Sequence, residues 1–426
     1  MTETTTALCA LLIFLVPLAA AGLALINAGL GRSRSAAHAM LSSLSVLAVA
    51  VLVYFLCGFS WQGFAAGPAH VVTVAGKAWN WMAAEPLFLR GLQPAAPAAS
   101  LVVLLQMFSV GLAALIPLGA GTDRWRLGAA CASTALLAGC TYPIFAHWVW
   151  GGGWLAQLGV NCGLGHGFLD AGGAGCIQAV GGLTAWSMAC ILGPRRGKYG
   201  MDGAPAAIPG HNAVLVLLGC FLALLGWLGL NCAGAVLFAG AAPEALAGVA
   251  IDTTLAAAAA ALTAAAITRA RFGRPDASLC ANGWVAGLVA GSAACAFVGP
   301  AAAVLTGLVS GALVTFCVEW LDIRLGVDDP AGSISVHAVG GIWGVLALGI
   351  FARFPGDSGQ FTAQLVGVAT LLGFVLPLTY CLNWLLNRFY RQRVPAEGER
   401  QGMDLYELGA GAYPEFVIHR EDMTQG

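Results

Sequence analysis

Long apolar segments alternate with short polar connections along almost the whole chain. A helix needs about 20 consecutive apolar residues to cross the roughly 30 Å hydrocarbon core of a bilayer. Eleven segments approach or exceed that length, so the pattern predicts an all-α polytopic membrane protein with eleven transmembrane helices. The predicted spans are residues 7–30, 38–60, 98–120, 127–149, 169–193, 211–235, 244–267, 279–298, 300–322, 332–352 and 360–386.

The composition supports this lipid environment. Hydrophobic residues make up 59% of the 426 residues and charged residues only 9%, whereas a soluble domain carries about 25% charged residues. The formal net charge of −1 lacks the basic excess that a nucleic-acid partner requires. The thirteen cysteines lie almost all in apolar segments without a CxxC pair, so we interpret them as small packing residues.

One thirteen-residue pattern occurs twice. Residues 170–182 read DAGGAGCIQAVGG and residues 329–341 read DPAGSISVHAVGG, so that Gln178 aligns with His337. Eight residues of helix rise about 12 Å, which places each of these polar side chains near the middle of a membrane. A large polar group at that depth is costly unless it lines a cavity or a pathway. The repeat therefore predicts that Gln178 and His337 form a pair at the centre of the molecule.

The basic residues indicate how the helices are oriented. Alternate loops and the C-terminal tail hold sixteen of the nineteen Lys and Arg residues, and basic loops lie in the cytoplasm, so the N-terminus is predicted outside and the tail inside. Gln178 and His337 are 159 residues or about five helices apart, and an odd number turns the second copy upside down. The predicted organisation is a membrane domain at residues 1–386, with inverted repeats at about 7–194 and 211–352 and an eleventh helix at 360–386, followed by a cytoplasmic regulatory tail at 387–426.

An acid opens each copy of the repeat. Asp170 and Asp329 each stand just ahead of an apolar run. A carboxylate in that position accepts hydrogen bonds from the free N–H groups of the first helical turn and lies at the positive end of the helix dipole. We therefore expect both acids to cap their helices, the fifth and the tenth.

Further motifs lead to a family. They are GLALINAGLGRS at 22–33, YPIFAHWVWGGGWL at 142–155, GHNAVLVLLGCFLALLGWLGLN at 210–231, VDDPAGSISVHAVGGIWG at 327–344 and GMDLYELGAGAY at 402–413. Together they resemble the ammonium transporter family of bacteria, plants and fungi, which is related to the Rhesus glycoproteins. The resemblance covers nearly the whole chain. It implies homotrimers of eleven-helix protomers in the cell membrane, each with its own narrow pore for ammonium or ammonia and without a cofactor.

The resemblance also implies roles for individual residues. In the family, an aromatic cage captures ammonium outside, and the substrate then passes two stacked phenylalanines and two hydrogen-bonded pore histidines. A tryptophan face attracts a cation, and an imidazole exchanges protons near neutral pH. The matching residues are Trp150 for the cage tryptophan, Asp170 for the acid that braces the outer vestibule, Trp227 for the tryptophan above the pore and His337 for the second pore histidine.

The chain departs from the family along the pore. Gln178 stands in place of the first pore histidine, and an amide carries no proton between pH 5 and 8. The outer phenylalanine gate falls on Ser109, with Phe108 beside it, and the inner gate falls on Leu230. Gly234 stands where the family's outer site has a hydroxyl. The resemblance therefore implies that both ion recruitment and the proton relay are altered.

Two functions stay open on this basis. The first is a channel or transporter for ammonium or ammonia that serves nitrogen uptake, and the second is a sensor that binds ammonium, conducts little and signals to the cytoplasm. An enzyme is not expected, because no HExxH, GxSxG or midplane carboxylate pair occurs. The resemblance implies that PII-type signalling proteins or a downstream signalling domain read the cytoplasmic face, where the tail docks on basic loops. The regulatory residues expected there are Arg195, Arg196, Lys198, Asp404 and Tyr413.

Overall fold

A computed structural model of the chain describes residues 1–92, 97–352, 354 and 358–413. Ten helices within these residues are long and apolar enough to cross a membrane, which confirms the prediction of a helical, polytopic fold. Residues 414–426 of the predicted tail lie outside the described residues. In chain order, with the shorter α8 included, the helices are α1 Glu3–Leu30, α2 Ser33–Gln62, α3 Pro97–Gly121, α4 Leu127–Val149, α5 Ala174–Leu192, α6 Ala213–Ala239, α7 Pro243–Phe272, α8 Ala277–Ser292, α9 Pro300–Leu325, α10 Ile334–Phe351 and α11 Gln360–Phe389.

Helix α8 is shorter than the predicted span at 279–298. It has 16 residues, or about 24 Å of helix, which is less than the roughly 30 Å of a hydrocarbon core. After Ser292 the chain forms turns, and the carbonyl groups of Ser292 and Ala293 accept hydrogen bonds from the segment that precedes α5. These bonds satisfy the end of the helix. The described residues therefore hold ten long apolar helices and one short one.

A small antiparallel β-hairpin lies between α2 and α3, where the all-α prediction expects a loop. Its strands are β1 Ala69–Val74 and β2 Lys77–Ala83. The two residues between them, Ala75 and Gly76, both have positive φ, which is the turn geometry that matches the twist of paired strands. The signal for this hairpin is the β-branched and aromatic run VVTVAGKAWNW, interrupted by a single glycine.

The long helices pack closely through small residues. Helix α1 lies along α6, and α7 packs against both α8 and α9. Gly22 of α1 and Gly219 of α6 face each other, and a Cβ on either one would collide with the carbonyl oxygen of the other. Such small-residue contacts are typical of helices that associate in lipid.

Both copies of the repeat distort the beginning of their helix in the same way. Residues Ala174–Ala179 of α5 and Ile334–Val339 of α10 form π-helical turns before the regular helix starts. Such turns are rare and occur frequently at functional sites. Gln178 lies in the first turn and His337 in the second, so the matching backbone supports the alignment of the two copies.

Candidate functional site at the crossing of the two repeat helices

Helices α5 and α10 cross in direct contact. The last glycine of each AVGG motif, Gly182 in α5 and Gly341 in α10, lies against the backbone of the other helix. A Cβ on Gly182 would collide with the amide of Ala338, and a Cβ on Gly341 would collide with the carbonyl oxygen of Ala174. This reciprocal close approach brings the two π-helical turns next to each other.

The acid that opens each copy caps its helix, which confirms the prediction. Asp170 accepts hydrogen bonds from four backbone N–H groups at 2.8–2.9 Å. Asp329 accepts two, at 2.9 and 2.7 Å. In both copies a glycine with positive φ, Gly173 or Gly332, stands three residues after the acid and allows the chain to fold back onto the carboxylate. Both Asp170 oxygens are thus occupied by the first turn of α5.

Gln178 and His337 contact each other at the crossing. Nδ1 of His337 lies 2.8 Å from Oε1 of Gln178, and both side chains are buried. An amide oxygen only accepts hydrogen bonds, so His337 donates from Nδ1 and keeps the lone pair on Nε2. The amide nitrogen of Gln178 is buried and has no hydrogen-bond partner among the described residues.

This geometry determines how the pair handles protons and ligands. Two histidines can exchange donor and acceptor roles, whereas Gln178 does not titrate and holds the hydrogen bond in one direction. Only His337 can take up a proton here. The unpartnered N–H groups of Gln178 suit a ligand with a lone pair, such as ammonia or water. An ammonium ion offers only donors, so it has no match on that nitrogen.

Trp150 is held beside the cap of α5. Its indole Nε1–H donates to the carbonyl oxygen of Asp170 at 2.7 Å. Its ring stacks on Phe238 of α6, with ring centroids 4.5 Å apart and planes 12° apart, and both side chains are half-buried. Phe238 is absent from the sequence-predicted site. The available signal is its position four residues after Gly234, which puts the two on one face of α6.

Three other predicted pore residues lie in the interior. Trp227 is buried and donates its Nε1–H to Oγ of Ser292 at 3.2 Å. Leu230 is buried one turn further along α6. Ser109 is buried, and its hydroxyl donates to the carbonyl oxygen of Leu105 in its own helix at 2.8 Å. Ser109 and Leu230 therefore bring no aromatic ring to the interior.

Phe108 lies on a different surface. It lines an apolar groove of about 660 Å³ between α1, α2 and α3, together with the exposed side chains of Leu44 and Leu52. One residue step along a helix turns a side chain by about 100°, which takes Phe108 away from the buried side of α3 that Ser109 occupies. This corrects the prediction that Phe108 belongs to the pore.

A buried cluster of ion pairs lies on the face that carries the C-terminal tail, which we call the tail face. Asp328 binds the guanidinium of Arg195 through both oxygens at 2.9 Å, and Arg195 also reaches Asp123 at 3.3 Å. Burial on its own raises the pKa of Asp328, but the hydrogen bonds of Arg195 and the charge of Arg124 outweigh burial and lower that pKa below its ordinary value. The cluster therefore holds Asp328 ionised beside the cap residue Asp329. The tail face comprises residues 31–38, 122–127, 193–212 and 390–413.

The tail supplies caps for two membrane helices. Asp404 accepts the backbone N–H of His38 at 2.7 Å, in the first α-helical turn of α2, which follows the 3-10 turn at Ser33–Ser35. Glu407 accepts the backbone N–H of Leu127 at the start of α4 at 2.8 Å and also lies 2.8 Å from Nε2 of His38. The N-cap positions of these two helices supply no side-chain hydrogen bond of their own. The tail is therefore part of how both helices begin.

Two of the predicted regulatory residues connect the tail to a loop. The backbone N–H of Arg196 donates to Glu399 of the tail, which also pairs with Arg393 at 2.8 Å. The hydroxyl of Tyr413 lies 3.1 Å from Nε2 of His211, just ahead of α6. The expectation that the tail docks on the basic loops is confirmed for these contacts.

The expectation that the tail docks on Arg195 and Lys198 is wrong. Arg195 is occupied by Asp328 and Asp123 in the buried cluster, and Lys198 forms an ion pair with Asp322 at 2.7 Å. Both residues bind acids of the membrane domain, whereas the tail binds the neighbouring Arg196. Their structural role is to fix the loop on which the tail rests.

Fold and site together define a polytopic membrane protein with a polar pair where its two repeat helices cross. The model of the Ammonium Transporter Family matches residues 5–413. The chain therefore belongs to the ammonium transporter family and is a multi-pass membrane protein.

Individual relatives agree with this assignment. The ammonium transporter Amt2 of Archaeoglobus fulgidus is 37% identical over an alignment that covers 96% of this chain and 88% of that protein. The ammonium transporter of Bacillus subtilis is 31% identical, with 95% and 96% covered. A solved structure described as a sensor Amt protein has a TM-score of 0.84 and 29% identity, with 94% of this chain and 97% of the other covered. Candida albicans Mep2, at 23% identity and a TM-score of 0.82, with 98% and 91% covered, shares the fold.

Proposed function

We propose that this protein is an ammonium or ammonia channel whose pore passes the Gln178–His337 pair. The observation that carries the proposal is the 2.8 Å contact between these two buried side chains. It brings together the midplane polar groups of α5 and α10, on a route that begins beside Trp150 next to the cap of α5. Membership of the ammonium transporter family supports ammonium as the substrate.

The wider architecture belongs to the same proposal. The repeats have inverted orientation, the N-terminus lies outside, the tail face lies in the cytoplasm, and three copies assemble in the cell membrane. α8 completes eleven crossings as a short span, so that residues 1–386 form the membrane domain and 387–426 the regulatory tail. The distribution of basic residues, with sixteen of nineteen in alternate loops and the tail, supports this orientation.

The pair favours movement of neutral ammonia. Ammonium arrives at Trp150, because an aromatic face attracts a cation, and it returns a proton to the external water before the ammonia reaches the crossing. There the N–H groups of Gln178 donate to the lone pair of ammonia, and Nε2 of His337 accepts from it. A charge left unpaired at that depth costs several kcal/mol. Since Gln178 cannot carry the released proton inward, proton-coupled current is weak.

A sensor is the second candidate function. Two observations favour it, namely the missing second imidazole at Gln178 and the likeness to a sensor Amt protein over 94% of the chain. A change at the α10 cap would reach the tail through Asp328 and Arg195, since Arg196 holds Glu399 of the tail. A PII-type protein or a downstream signalling domain would then read the tail face.

Current and flux measured on the same reconstituted vesicles test these alternatives. An ammonium pulse on a channel for neutral ammonia changes the internal pH quickly and produces little membrane current. Robust, saturable, proton-coupled current in the unmodified protein would contradict the altered relay. Calorimetric binding of ammonium without any flux would establish the sensor instead.

Trp150 is the residue whose loss weakens recruitment. Trp150→Leu removes the aromatic face, and the expected cost in ammonium binding is about 1–2 kcal/mol, or a five- to thirtyfold rise in Kd, roughly. Calorimetry on purified protein measures it. Trp154→Leu, a tryptophan of the neighbouring loop, serves as the matched control and should bind as the unmodified protein does. Equal binding by Trp150→Leu would remove Trp150 from the site.

A further inference from the structure

The ring of Phe238 occupies the place above one face of Trp150, where a cation bound to that face would lie. The two rings are nearly parallel, with planes 12° apart and centroids 4.5 Å apart, so they are in van der Waals contact and nothing fits between them. A cation bound to an aromatic face lies within about 6 Å of the ring centroid. In this conformation Phe238 therefore covers that face of Trp150.

Trp150 is fixed in place, so it is not the ring that moves. Its Nε1–H donates to the carbonyl oxygen of Asp170 at 2.7 Å, and its backbone N–H donates to Ala146 at 2.7 Å. Asp170 is itself held by four hydrogen bonds from the first turn of α5. Uncovering the face of Trp150 thus requires movement of Phe238.

The backbone next to Phe238 is fixed, so a displacement of its ring takes place by rotation of the side chain. Phe238 lies in the last turn of α6, and the backbone beyond it is fastened because the N–H groups of Gly240 and Ala241 both donate to Ala235. The space beside Gly240 is open, since a Cβ there would meet no atom within 4 Å. Phe238 is half-buried and keeps part of its surface accessible, which leaves room for its ring outside the stack.

We infer that Phe238 is a lid on the cation-binding face of Trp150, a ring that must swing aside before ammonium binds. The inference rests on the proposed recruitment of ammonium at Trp150. The lid competes with the ion for one position, and a larger organic cation must displace it further than ammonium does. Phe238 therefore controls both the affinity of the outer site and the size of the cation admitted.

Removal of the lid tests the inference. Phe238→Ala should bind methylammonium about three- to tenfold more tightly than the unmodified protein, because no stacking contact has to be broken first. Phe238→Leu keeps the bulk without the aromatic face and should bind more tightly as well, to a smaller degree. Leu237→Ala, on another face of the same turn, is the control and should leave Kd unchanged. Weaker or equal binding by Phe238→Ala overturns the lid.

A second measurement does not depend on ammonium. The fluorescence of Trp150 is isolated as the difference between each protein and its Trp150→Phe counterpart. Its quenching by acrylamide should increase severalfold in Phe238→Ala, and unchanged quenching overturns the lid even if binding is altered. If no variant binds methylammonium while quenching increases, the lid stands and recruitment at Trp150 is disproved. Elution of each variant as the unmodified species on gel filtration shows that it is folded.

Discussion

Helices α5 and α10 begin alike and differ in what they carry. Each has an acid cap, a glycine with positive φ, a π-helical turn and a contact glycine at matching positions. Asp170 accepts four backbone hydrogen bonds and Asp329 two, and Gln178 stands where His337 does. The shared geometry of the two helix starts is set by the caps and by backbone contacts at the glycines. It does not depend on the side chain of Gln178 or His337. That position is therefore free to change chemistry without a change in the crossing.

The largest expected effect concerns the contact glycines. Gly182→Ala places a Cβ against the backbone of α10 and should destabilise the protein by about 3 kcal/mol, because neither backbone can give way. Gly340→Ala is the matched control, since its Cβ meets its nearest neighbour at 3.7 Å. Thermal unfolding in detergent measures both. Equal melting temperatures would show that the helices do not need this approach.

The two acid caps give the next effect. Asp170→Ala leaves four backbone N–H groups without an acceptor and Asp329→Ala leaves two, so the first should cost about 2–3 kcal/mol and the second about 1–2 kcal/mol. The same unfolding assay compares the pair directly. A larger loss of stability in Asp329→Ala than in Asp170→Ala would show that the number of capping hydrogen bonds does not determine the contribution of each cap.

The substitution Gln178→His gives both copies of the repeat a histidine at the matching position. Gln178→His should raise proton-coupled current at least about tenfold, because a positioned acid–base group then stands on both helices. His337→Gln removes the last titratable ring of the pair and is the opposite control, with no proton-coupled current expected. Vesicle recordings after ammonium pulses measure both. Unchanged current in Gln178→His would show that the second imidazole is not what limits transport.

The smallest effect separates helices that cap themselves from helices capped by the tail. Burial on its own raises the pKa of Glu407, but hydrogen bonds from His38 and Leu127 outweigh burial and lower that pKa. Its contribution to docking, about 1 kcal/mol, is therefore fully present above the ordinary Glu pKa near 4.3, roughly. It is lost as the pH falls through the lower, folded-state pKa.

Hydrogen exchange of residues 400–412 against pH measures this release. The exchange rate, divided by that of an unprotected amide at the same pH, should rise below about pH 4 in the unmodified protein and should be high at all pH values in Glu407→Gln. The exposed Glu397 provides the control, since Glu397→Gln should follow the unmodified protein. A normalised rate in the unmodified protein that stays low and does not change with pH would show that Glu407 does not hold the tail. Truncation after Arg393 should likewise alter binding or transport if the tail is regulatory.

The central pair and its caps were accessible from the sequence because each depends on a local pattern. Gln178 and His337 are large polar residues in apolar runs at matching positions, and Asp170 and Asp329 precede those runs. Helix periodicity alone places them. No partner had to be known.

The features that sequence reasoning missed are contacts between distant segments. Phe238 contacts Trp150 from another helix, and the sequence of α6 does not predict this contact. Arg195 and Lys198 had several acids within reach along the chain, and only the fold decides that Asp328 and Asp322 bind them. The basic residues predict that the loop forms ion pairs, but they do not predict which acid pairs with which base.

The capping of α2 and α4 by the tail also determines when these helix ends can be completed during synthesis of the chain. The chain is made from its N-terminus, so the start of α4 at Leu127 waits for Glu407, which is synthesised about 280 residues later. At 5–20 residues per second that delay is roughly 15–60 s. By then every membrane helix has been synthesised. Closure of the tail onto α2 and α4 is thus a late step of biogenesis, and a chain cut short before Asp404 reaches the membrane with two helix ends unfinished.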